Sequence, residues 1–360
     1  MVSSNLSTAK SFLLDRLPTA MLPSSSERER LRNIFVSQIG WFDAKITALQ
    51  PDASFRRYYR LERAGVSAML MDAPPMREQI TPFITIAHHL NKLGLVAPEI
   101  FHHDETNGFI MMEDFGDNTF TQLLNSGTNE IDLYRSAVDV LIRLHENRAA
   151  IQIHVPPYDR QTMIDESLLM PDWYYPAIRG SHISARIRQD YIDAWHQVLN
   201  HLPAFEPTLV LRDFHIDNLI QVNRDGNTSQ CGLLDFQDAV IGSPAYDLMS
   251  LLEDARRDIT PESVDSMLLH YLTSMPDTHP DLFMNSYQIL GLQRHCKVAG
   301  IFTRLATRDA KPAYREHLPR VLKLISLRLG HPLVMPVREW FDQHLPEVPN
   351  REPMARPHSL

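Results

Sequence analysis

Two acids and one amide in the middle of this 360-residue chain combine residue types that can handle protons and metal-bound phosphates. Asp213 and Asn218 are five positions apart, and Asp235 directly follows an apolar stretch further along the chain. A carboxylate can orient and deprotonate an attacking hydroxyl, while amide and carboxylate oxygens are ligands that Mg²⁺ prefers. We therefore expect Asp213 to act as a base and Asn218 and Asp235 to hold a divalent metal.

Three short apolar stretches must position these side chains. Residues 208–211 and 219–222 flank the polar segment that carries the first acid and the amide, and residues 231–234 lead into the second acid. Asp225-Gly226 is a hairpin turn signal between the last two stretches, because glycine tolerates positive φ there. The order strand, loop, strand, turn, strand predicts that the three polar side chains meet at one edge of a small sheet.

The spacing matches the catalytic loop of kinases, in which a base aspartate, a metal asparagine and a later Asp-Phe dipeptide serve phosphoryl transfer. With these motifs the chain resembles the aminoglycoside-phosphotransferase-like kinases, through residues 212–218 (RDFHIDN), 234–238 (LDFQD) and 246–248 (YDL). Within that superfamily it is similar to the bacterial N-acetylmuramate/N-acetylglucosamine anomeric kinases of cell-wall recycling, through residues 54–60 (SFRRYYR), 70–75 (LMDAPP), 112–116 (MEDFG), 251–257 (LLEDARR) and 293–302 (QRHCKVAGIF).

This resemblance implies an α+β, bilobal protein-kinase-like fold, with a small antiparallel-sheet N-terminal lobe and a larger, mostly helical C-terminal lobe. We expect a nucleotide-binding lobe with leading helices at 1–115, a catalytic and substrate lobe at 116–344, and a flexible tail at 345–360. The implied reaction uses ATP and Mg²⁺ to phosphorylate the anomeric hydroxyl of N-acetylmuramate or N-acetylglucosamine.

The usual phosphate anchors of such kinases are absent from the sequence. The segment around Ser54 has no glycine, residues 71–72 (MD) stand where a strand lysine is expected, and the helix predicted from Thr81 contains no glutamate to pair with it. A guanidinium can fork two phosphate oxygens, so we expect Ser54 and either Arg56 or Arg57 to bind the phosphates. The alternative is that these arginines only cover the surface.

Five further positions follow from the resemblance. Glu113 and Phe115 lie at the implied hinge, whose backbone would bind the adenine edge. His215 and Asp217 lie in the catalytic loop and face either the sugar or the scaffold. Asp247 resembles the family's structural acid, which braces that loop and takes no part in the chemistry.

Two arginines favour an acidic sugar as the substrate. Arg256 and Arg294 could pair with the lactyl carboxylate of N-acetylmuramate, whereas a cationic antibiotic would require acids in the cleft. Glu253 and Asp254 precede the first arginine, so the charge pattern leans only slightly toward the acidic sugar.

Two alternatives remain open from the sequence. One is a kinase that acts on another small-molecule hydroxyl, such as that of an aminoglycoside, choline or homoserine. The other is a non-catalytic protein that binds a nucleotide or a partner protein, which the missing lysine and glycine loop favour. The presence of the base, the metal amide and the metal carboxylate together argues against the second alternative.

Composition excludes several other classes of protein. The formal net charge of −9 and the lack of a dense Lys/Arg run argue against nucleic-acid binding. Cys231 and Cys296 lack metal-type spacing, which indicates reduced thiols in a reducing compartment. We find neither a signal peptide nor an apolar run long enough for a bilayer. We therefore expect a cytoplasmic enzyme with a small-molecule sugar substrate and no obligate protein partner.

Overall fold

The computed structural model describes residues 25–50, 55–224 and 229–348. The predicted phosphate ligand Ser54 and the Asp225-Gly226 turn lie outside the described residues. So does all of the predicted tail after residue 348.

The described secondary structure begins with a helix, and five strands with one helix among them follow, before a mostly helical remainder that contains four further strands. The described strands are β1 (Lys45–Ala48), β2 (Arg57–Arg63), β3 (Val66–Asp72), β4 (Ile100–Asp104), β5 (Phe109–Glu113), β6 (Thr208–Val210), β7 (Leu219–Val222), β8 (Gln230–Leu233) and β9 (Val240–Gly242). The described helices are α1 (Ser25–Gln38), α2 (Thr81–Lys92), α3 (Phe120–Asn125), α4 (Glu130–Glu146), α5 (Arg160–Ser167), α6 (Tyr175–Arg179), α7 (Ala185–Leu199), α8 (Ala245–Leu252), α9 (Pro261–Ser274), α10 (Pro280–Thr307), α11 (Leu318–Leu329) and α12 (Met335–His344). A π-helical turn, Met170–Tyr174, precedes α6.

The chain divides into two compact units, and the boundary between them is crossed several times. The first unit contains the described residues up to Thr128, Gln152–His154 and Asp217–Ala239. The second contains Asn129–Ile151, Val155–Ile216 and the described residues from Val240 onward. The segment 217–239 therefore belongs with the N-terminal residues, which differs from the predicted continuous division at residue 115.

A five-stranded antiparallel sheet forms the centre of the first unit, as the fold prediction required. Its strand order is β1-β2-β3-β5-β4, so that β4 and β1 are the edges. The register pairs Tyr58 with Met71 and Leu70 with Met111. Phe35 of α1 is buried against one face of this sheet. This sheet fixes the start of β2, where Arg56 and Arg57 lie.

Hydrogen bonds explain why the β7–β8 hairpin belongs to the first unit. The backbone N–H of Leu233 donates to Val96 O (2.8 Å), and that of Gln221 donates to Asn118 O (2.9 Å). A Cβ on Gly232 would lie 2.7 Å from a methyl of Val222, so the hairpin packs too closely there for a side chain. These contacts connect both strands of the hairpin to earlier parts of the chain.

The second unit is built around α10, a 28-residue helix with most of its side chains buried. A Cβ on Gly300 would lie 2.2 Å from the carbonyl carbon of Leu169, which shows how closely α10 approaches the π-helical turn. Strands β6 and β9 pair antiparallel, with Leu209 opposite Ile241. Neither α10 nor another helix of the described ranges is both long and apolar enough to cross a membrane.

Candidate functional site

A buried carboxylate holds the backbone of the loop that carries Asp213. Asp247 in the first turn of α8 accepts hydrogen bonds from the backbone N–H groups of Leu211 (2.6 Å) and Arg212 (2.9 Å). Arg212 has a φ of 71°, a conformation that residues with side chains rarely adopt. Burial raises the pKa of Asp247 to about 7, although the two backbone hydrogen bonds act in the opposite direction. The contacts match the bracing role that the resemblance implied.

The side chain of Arg212 is fixed by a second buried acid, Glu166. The two form an ion pair, and Lys297 Nζ lies 3.1 Å from Glu166 Oε1. The hydroxyl of Tyr158 donates to Glu166 Oε2 at 2.6 Å. Burial acts to raise the pKa of Glu166, but the positive charges of Lys297 and Arg212 outweigh it and lower the pKa below its ordinary value. Both oxygens of Glu166 therefore have partners within the second unit.

The side chain of Asp213 remains accessible to solvent, although Asp247 and Glu166 hold the loop that carries it. Its side chain is 41 % exposed, and its Oδ1 lies 4.0 Å from Nη2 of Arg294. Desolvation acts to raise the pKa of Asp213, but Lys297 and Arg294 outweigh it and hold the pKa below its ordinary value. The carboxylate is thus ionised at neutral pH, which is the form that can accept a proton.

Asp213 lines a pocket of about 90 Å³ in the second unit. Three predicted substrate residues, His215, Arg256 and Arg294, line the same pocket. His215 is buried, and burial lowers the pKa of its imidazole, so the ring is neutral near pH 7. The structure therefore brings the predicted base and three of the four candidate substrate residues together in one pocket, and their chemical roles stay predictions.

The two arginines of this pocket are oriented by different contacts. Arg294 is 8 % exposed and donates from Nε to the hydroxyl of Ser250 at 2.9 Å. The guanidinium carbon of Arg256 lies 5.5 Å from the ring centre of Phe302, which is within the range of a cation–π contact. The guanidinium groups bring positive charge close to the carboxylate of Asp213.

Asp254 also lines the pocket, and the sequence analysis weighed it only as a nearby charge. Its Oδ1 accepts a hydrogen bond from the backbone N–H of Arg256 at 2.8 Å. An aspartate that bonds the backbone two residues later is a recognised turn pattern, which predicts the local turn but not the position of Asp254 in the pocket.

The two candidate metal ligands lie at one end of the β7–β8 hairpin in the first unit. Asn218 immediately precedes β7, and its carbonyl oxygen accepts a hydrogen bond from the backbone N–H of Leu234 at 2.9 Å. Asp235 directly follows Leu234. It has a φ of 56° and a side chain that is 38 % exposed. Gln237 Nε2 donates to Asp235 Oδ1 at 3.1 Å.

These residues fit a metal that is bound mainly through phosphates. In the described ranges, no group of three or more His, Cys, Asp or Glu side chains could hold a metal ion by itself. Mg²⁺ typically takes one or two protein carboxylates and completes its octahedral shell with water and substrate phosphates. The donor set of Asn218 and Asp235 therefore suits Mg²⁺ that arrives with a nucleotide.

The structure separates the two arginines that the sequence analysis could not distinguish. Arg56 is 9 % exposed, and its Nη1 lies 3.3 Å from Asp235 Oδ1. Its Nε lies 4.0 Å from Glu78 Oε2, and neither nitrogen has a hydrogen-bond partner among the described residues. Arg57 is exposed, and its Nη1 donates to the carbonyl oxygen of Arg56 at 3.3 Å. Arg56 is the arginine that lies beside a candidate metal ligand.

Glu78 is a second residue that sequence reasoning missed. The usual kinase glutamate would lie inside α2, which contains none, and Glu78 lies three residues before that helix begins. It accepts a hydrogen bond from the backbone N–H of Phe55 at 3.3 Å. Burial raises the pKa of Glu78, and the charge of Arg56 acts in the opposite direction. An arginine–carboxylate pair is therefore present after all, but on elements other than those expected.

The strand position expected for the lysine has a structural role instead. Asp72 is 3 % exposed and forms an ion pair with Arg28 of α1, whose Nε lies 3.0 Å from Asp72 Oδ1. Arg28 also donates to Asn107 O at 2.8 Å and lies 4.4 Å from the ring centre of Phe109. This pair attaches α1 to the sheet.

Three other predicted site residues make contacts within the first unit. Glu113 forms an ion pair with Arg224, whose Nε lies 3.0 Å from Glu113 Oε1. Phe115 is half-buried and packs against the apolar cluster at the hairpin. Asp217 accepts a hydrogen bond from the hydroxyl of Thr121 on α3, and it does not line the pocket of Asp213. The contact of Asp217 matches the scaffold alternative, and its substrate role stays a prediction.

Comparison with known proteins gives the same family as the motifs. A family model described as "Phosphotransferase enzyme family" matches residues 45–281. An N-acetylmuramate/N-acetylglucosamine kinase of Caulobacter vibrioides is 32 % identical over 359 residues, covering 89 % of this chain and 98 % of that protein. A protein of the same name from Pseudomonas putida is 33 % identical over 296 residues, covering 79 % of this chain and 84 % of that protein.

Solved structures show a similar fold at much lower identity. A choline/ethanolamine kinase family protein from Mesorhizobium loti has a TM-score of 0.60 at 13 % identity, covering 87 % of this chain and 99 % of that chain. The ADP-bound aminoglycoside phosphotransferase APH(2'')-Ib has a TM-score of 0.55 at 14 % identity, covering 84 % and 98 %. These likenesses confirm the protein-kinase-like fold class. From the match to more than half of its length and from these relatives, the chain belongs to the phosphotransferase enzyme family.

Proposed function

We propose that this protein is an ATP-dependent sugar kinase that phosphorylates the anomeric hydroxyl of N-acetylmuramate, N-acetylglucosamine or both. The observation that carries the proposal is the pocket in which Asp213 lies with Arg256 and Arg294. The relatives with this activity in their names cover most of the chain, which supports the same substrate class. Cys231 and Cys296 form no disulfide, which agrees with a role in the cytoplasm.

Asp213 supplies the proton acceptor in this reaction. The anomeric O–H transfers its proton to the carboxylate, the sugar oxygen forms a bond to the γ-phosphorus, and the bond from that phosphorus to the bridging β–γ oxygen breaks. The products are the sugar 1-phosphate and ADP. Because an anomeric hydroxyl is more acidic than an ordinary alcohol, a base with a lowered pKa is sufficient.

Residues of the first unit would bind the nucleotide phosphates. Asn218 and Asp235 would hold Mg²⁺, which neutralises charge on the phosphates when it is bound. Arg56 is the candidate phosphate anchor, because its Nε and Nη1 are buried donors without hydrogen-bond partners among the described residues. Glu78 would orient Arg56, as a helix glutamate orients the strand lysine in kinases.

The charge of the pocket favours an acidic or neutral sugar over a cationic acceptor. Arg256 and Arg294 offer bidentate donors to a carboxylate such as the lactyl group of N-acetylmuramate. The solved structures of choline and aminoglycoside kinases are at most 16 % identical to this chain, so they share its fold and do not select among hydroxyl acceptors.

A substrate screen tests this function. Purified protein with ATP and Mg²⁺ is incubated separately with N-acetylmuramate, N-acetylglucosamine, choline, homoserine and an aminoglycoside, and the phosphorylated products are identified by mass spectrometry and ³¹P NMR. We expect sugar 1-phosphate from one or both N-acetyl sugars. Rapid turnover of an aminoglycoside, with no product from either sugar, would overturn the proposed function.

A further inference from the structure

The pocket of Asp213 contains a buried acceptor that the protein does not use. Asp254 lines this pocket and is 1 % exposed. Its Oδ1 accepts the backbone N–H of Arg256, but its Oδ2 has no hydrogen-bond partner among the described residues. A buried acceptor without a partner is destabilising, by about 1–3 kcal/mol for a typical polar group. A ligand that donates a hydrogen bond to Oδ2 would remove this cost.

Asp254 is held firmly enough to select a donor by position. The hydrogen bond of 2.8 Å from the backbone N–H of Arg256 fixes the carboxylate plane on one side. The carbonyl oxygen of Asp254 accepts a hydrogen bond from Nε of Arg320 at 2.6 Å, which fixes the backbone. Because both ends of the residue are fixed, the position of Oδ2 is fixed as well.

Apolar side chains line the same small pocket. Val298 and Phe302 are buried side chains of α10, and Ile301 lies between them in the sequence. A ligand group that fits here must therefore offer a hydrogen-bond donor and an apolar group only a few atoms apart. An acetamido group meets both requirements, because its N–H is separated from its methyl by a single carbonyl carbon.

We propose that this pocket binds the C2 acetamido group of the amino sugar, with Asp254 as the specificity residue. Asp254 Oδ2 accepts the hydrogen bond of the acetamido N–H, and Val298, Ile301 and Phe302 contact its methyl. The inference rests on the proposed sugar kinase activity and adds to it. C2 is bonded to the anomeric carbon, so a sugar with its anomeric hydroxyl on Asp213 presents the acetamido group within the same pocket.

The test compares two sugars that both carry an anomeric hydroxyl. N-acetylglucosamine has the C2 acetamido group, whereas 2-deoxyglucose has neither the donor nor the methyl. We expect Asp254→Asn to lower the ratio of their kcat/KM values by roughly 10- to 100-fold, as for the loss of a hydrogen bond to a charged acceptor. Arg256 N–H still needs an acceptor, so the Asn oxygen stays at the Oδ1 position and its NH₂ group faces the sugar N–H.

The ratio is independent of how much of the variant is active, since misfolded protein lowers both kcat/KM values by the same factor. The matched control is Asp265→Asn, an exposed aspartate on α9, for which we expect an unchanged ratio. If Asp254→Asn yields no soluble protein, Asp254→Ala removes the same acceptor, and the ratio should fall in the same direction.

Two other results would overturn the inference. An equal loss with both sugars would show that Asp254 does not read the C2 substituent. A complete lack of sugar turnover by the wild type would refute the proposed kinase function itself, and the acetamido assignment with it.

Discussion

Two clusters of charged residues, Asp247 with Glu166 in the second unit and Arg56 with Asp235 in the first, differ in how fully the protein pairs their polar atoms. In the second unit, both oxygens of Asp247 accept backbone N–H groups, and both oxygens of Glu166 have charged or hydroxyl partners. In the first unit, Asp235 lies 3.3 Å from Arg56, whose Nε and Nη1 lack hydrogen-bond partners among the described residues. The well-paired acids support the loop of Asp213, whereas Arg56 has donors left for a ligand.

This difference shows how structural charged residues can be distinguished from charged residues that bind a ligand. A buried polar group that is fully paired contributes to the stability of the fold, whereas one that is left without a partner destabilises the free protein. Natural proteins retain such groups at functional sites, where a ligand supplies the missing partner. Asp213 lies in the loop that the paired acids hold in place, and its side chain is 41 % exposed.

The largest expected effect comes from the base. Asp213→Asn should lower kcat by about 10²- to 10⁴-fold, the range that general base catalysis contributes. The variant keeps the shape of the side chain, so the unfolding midpoint should stay close to that of the wild type. Steady-state kinetics with N-acetylglucosamine measures the loss, with Asp265→Asn as the control. If Asp213→Asn retained most of the wild-type rate, the base assignment would be wrong.

The adjacent arginines provide a matched pair in the first unit. Arg56→Met should raise KM for ATP by about 10- to 100-fold, because a phosphate loses charged hydrogen bonds. Arg57→Met should change KM by less than about twofold, since its side chain is exposed and surface charges contribute little. Equal effects of the two substitutions on KM would contradict the assignment of Arg56 as the phosphate anchor.

The scaffold acids should affect stability more than they affect nucleotide binding. Asp247→Asn should lower the free energy of unfolding by about 1–3 kcal/mol, because Asn has one acceptor oxygen and its NH₂ group leaves one of the two backbone N–H groups without an acceptor. Urea denaturation measures the loss, and ATP titration of the folded variant should give a Kd near the wild-type value. A variant as stable as the wild type would show that the two backbone bonds do not hold this loop.

The smallest effect that we expect is a shift in the pH profile. Asp213 must be ionised to accept a proton, so activity falls as the pH drops through its pKa. Lys297 and Arg294 hold that pKa below its ordinary value. Lys297→Met should therefore raise the pKa and move the acid limb of the kcat/KM profile toward neutral pH, whereas Lys323→Met, at an exposed position of α11, should not move it. An unmoved limb in Lys297→Met would exclude this electrostatic role.

Much of the site was predictable because its residues are close in sequence. The spacing of Asp213, Asn218 and Asp235, together with the flanking apolar stretches, predicted the strands on either side of the loop. The bounds of β7 also agree with the predicted apolar stretch, residues 219–222.

The features that were missed depend on contacts distant in sequence. Glu78 and Arg56 are distant in sequence, and no periodic pattern predicts that they pair. Strand β4 was not predicted because its sequence, IFHHD, is largely exposed at the edge of the sheet. The hairpin belongs to the first unit because of its backbone hydrogen bonds to Val96 and Asn118. The secondary-structure propensity of the local sequence does not predict these bonds. Pocket membership of Asp254 likewise depends on the packing of α10.

The central claim is that Asp213 acts as the base and Asp235 as a metal ligand. Its most direct test is a nucleotide-binding titration with and without Mg²⁺. We predict that Mg²⁺ tightens ATP binding to the wild type and to Asp213→Asn by the same factor, and that Asp235→Asn loses this Mg²⁺-dependent gain. If Mg²⁺ tightened ATP binding to Asp235→Asn as much as to the wild type, Asp235 would not be a metal ligand, and the kinase mechanism given for this site would be contradicted.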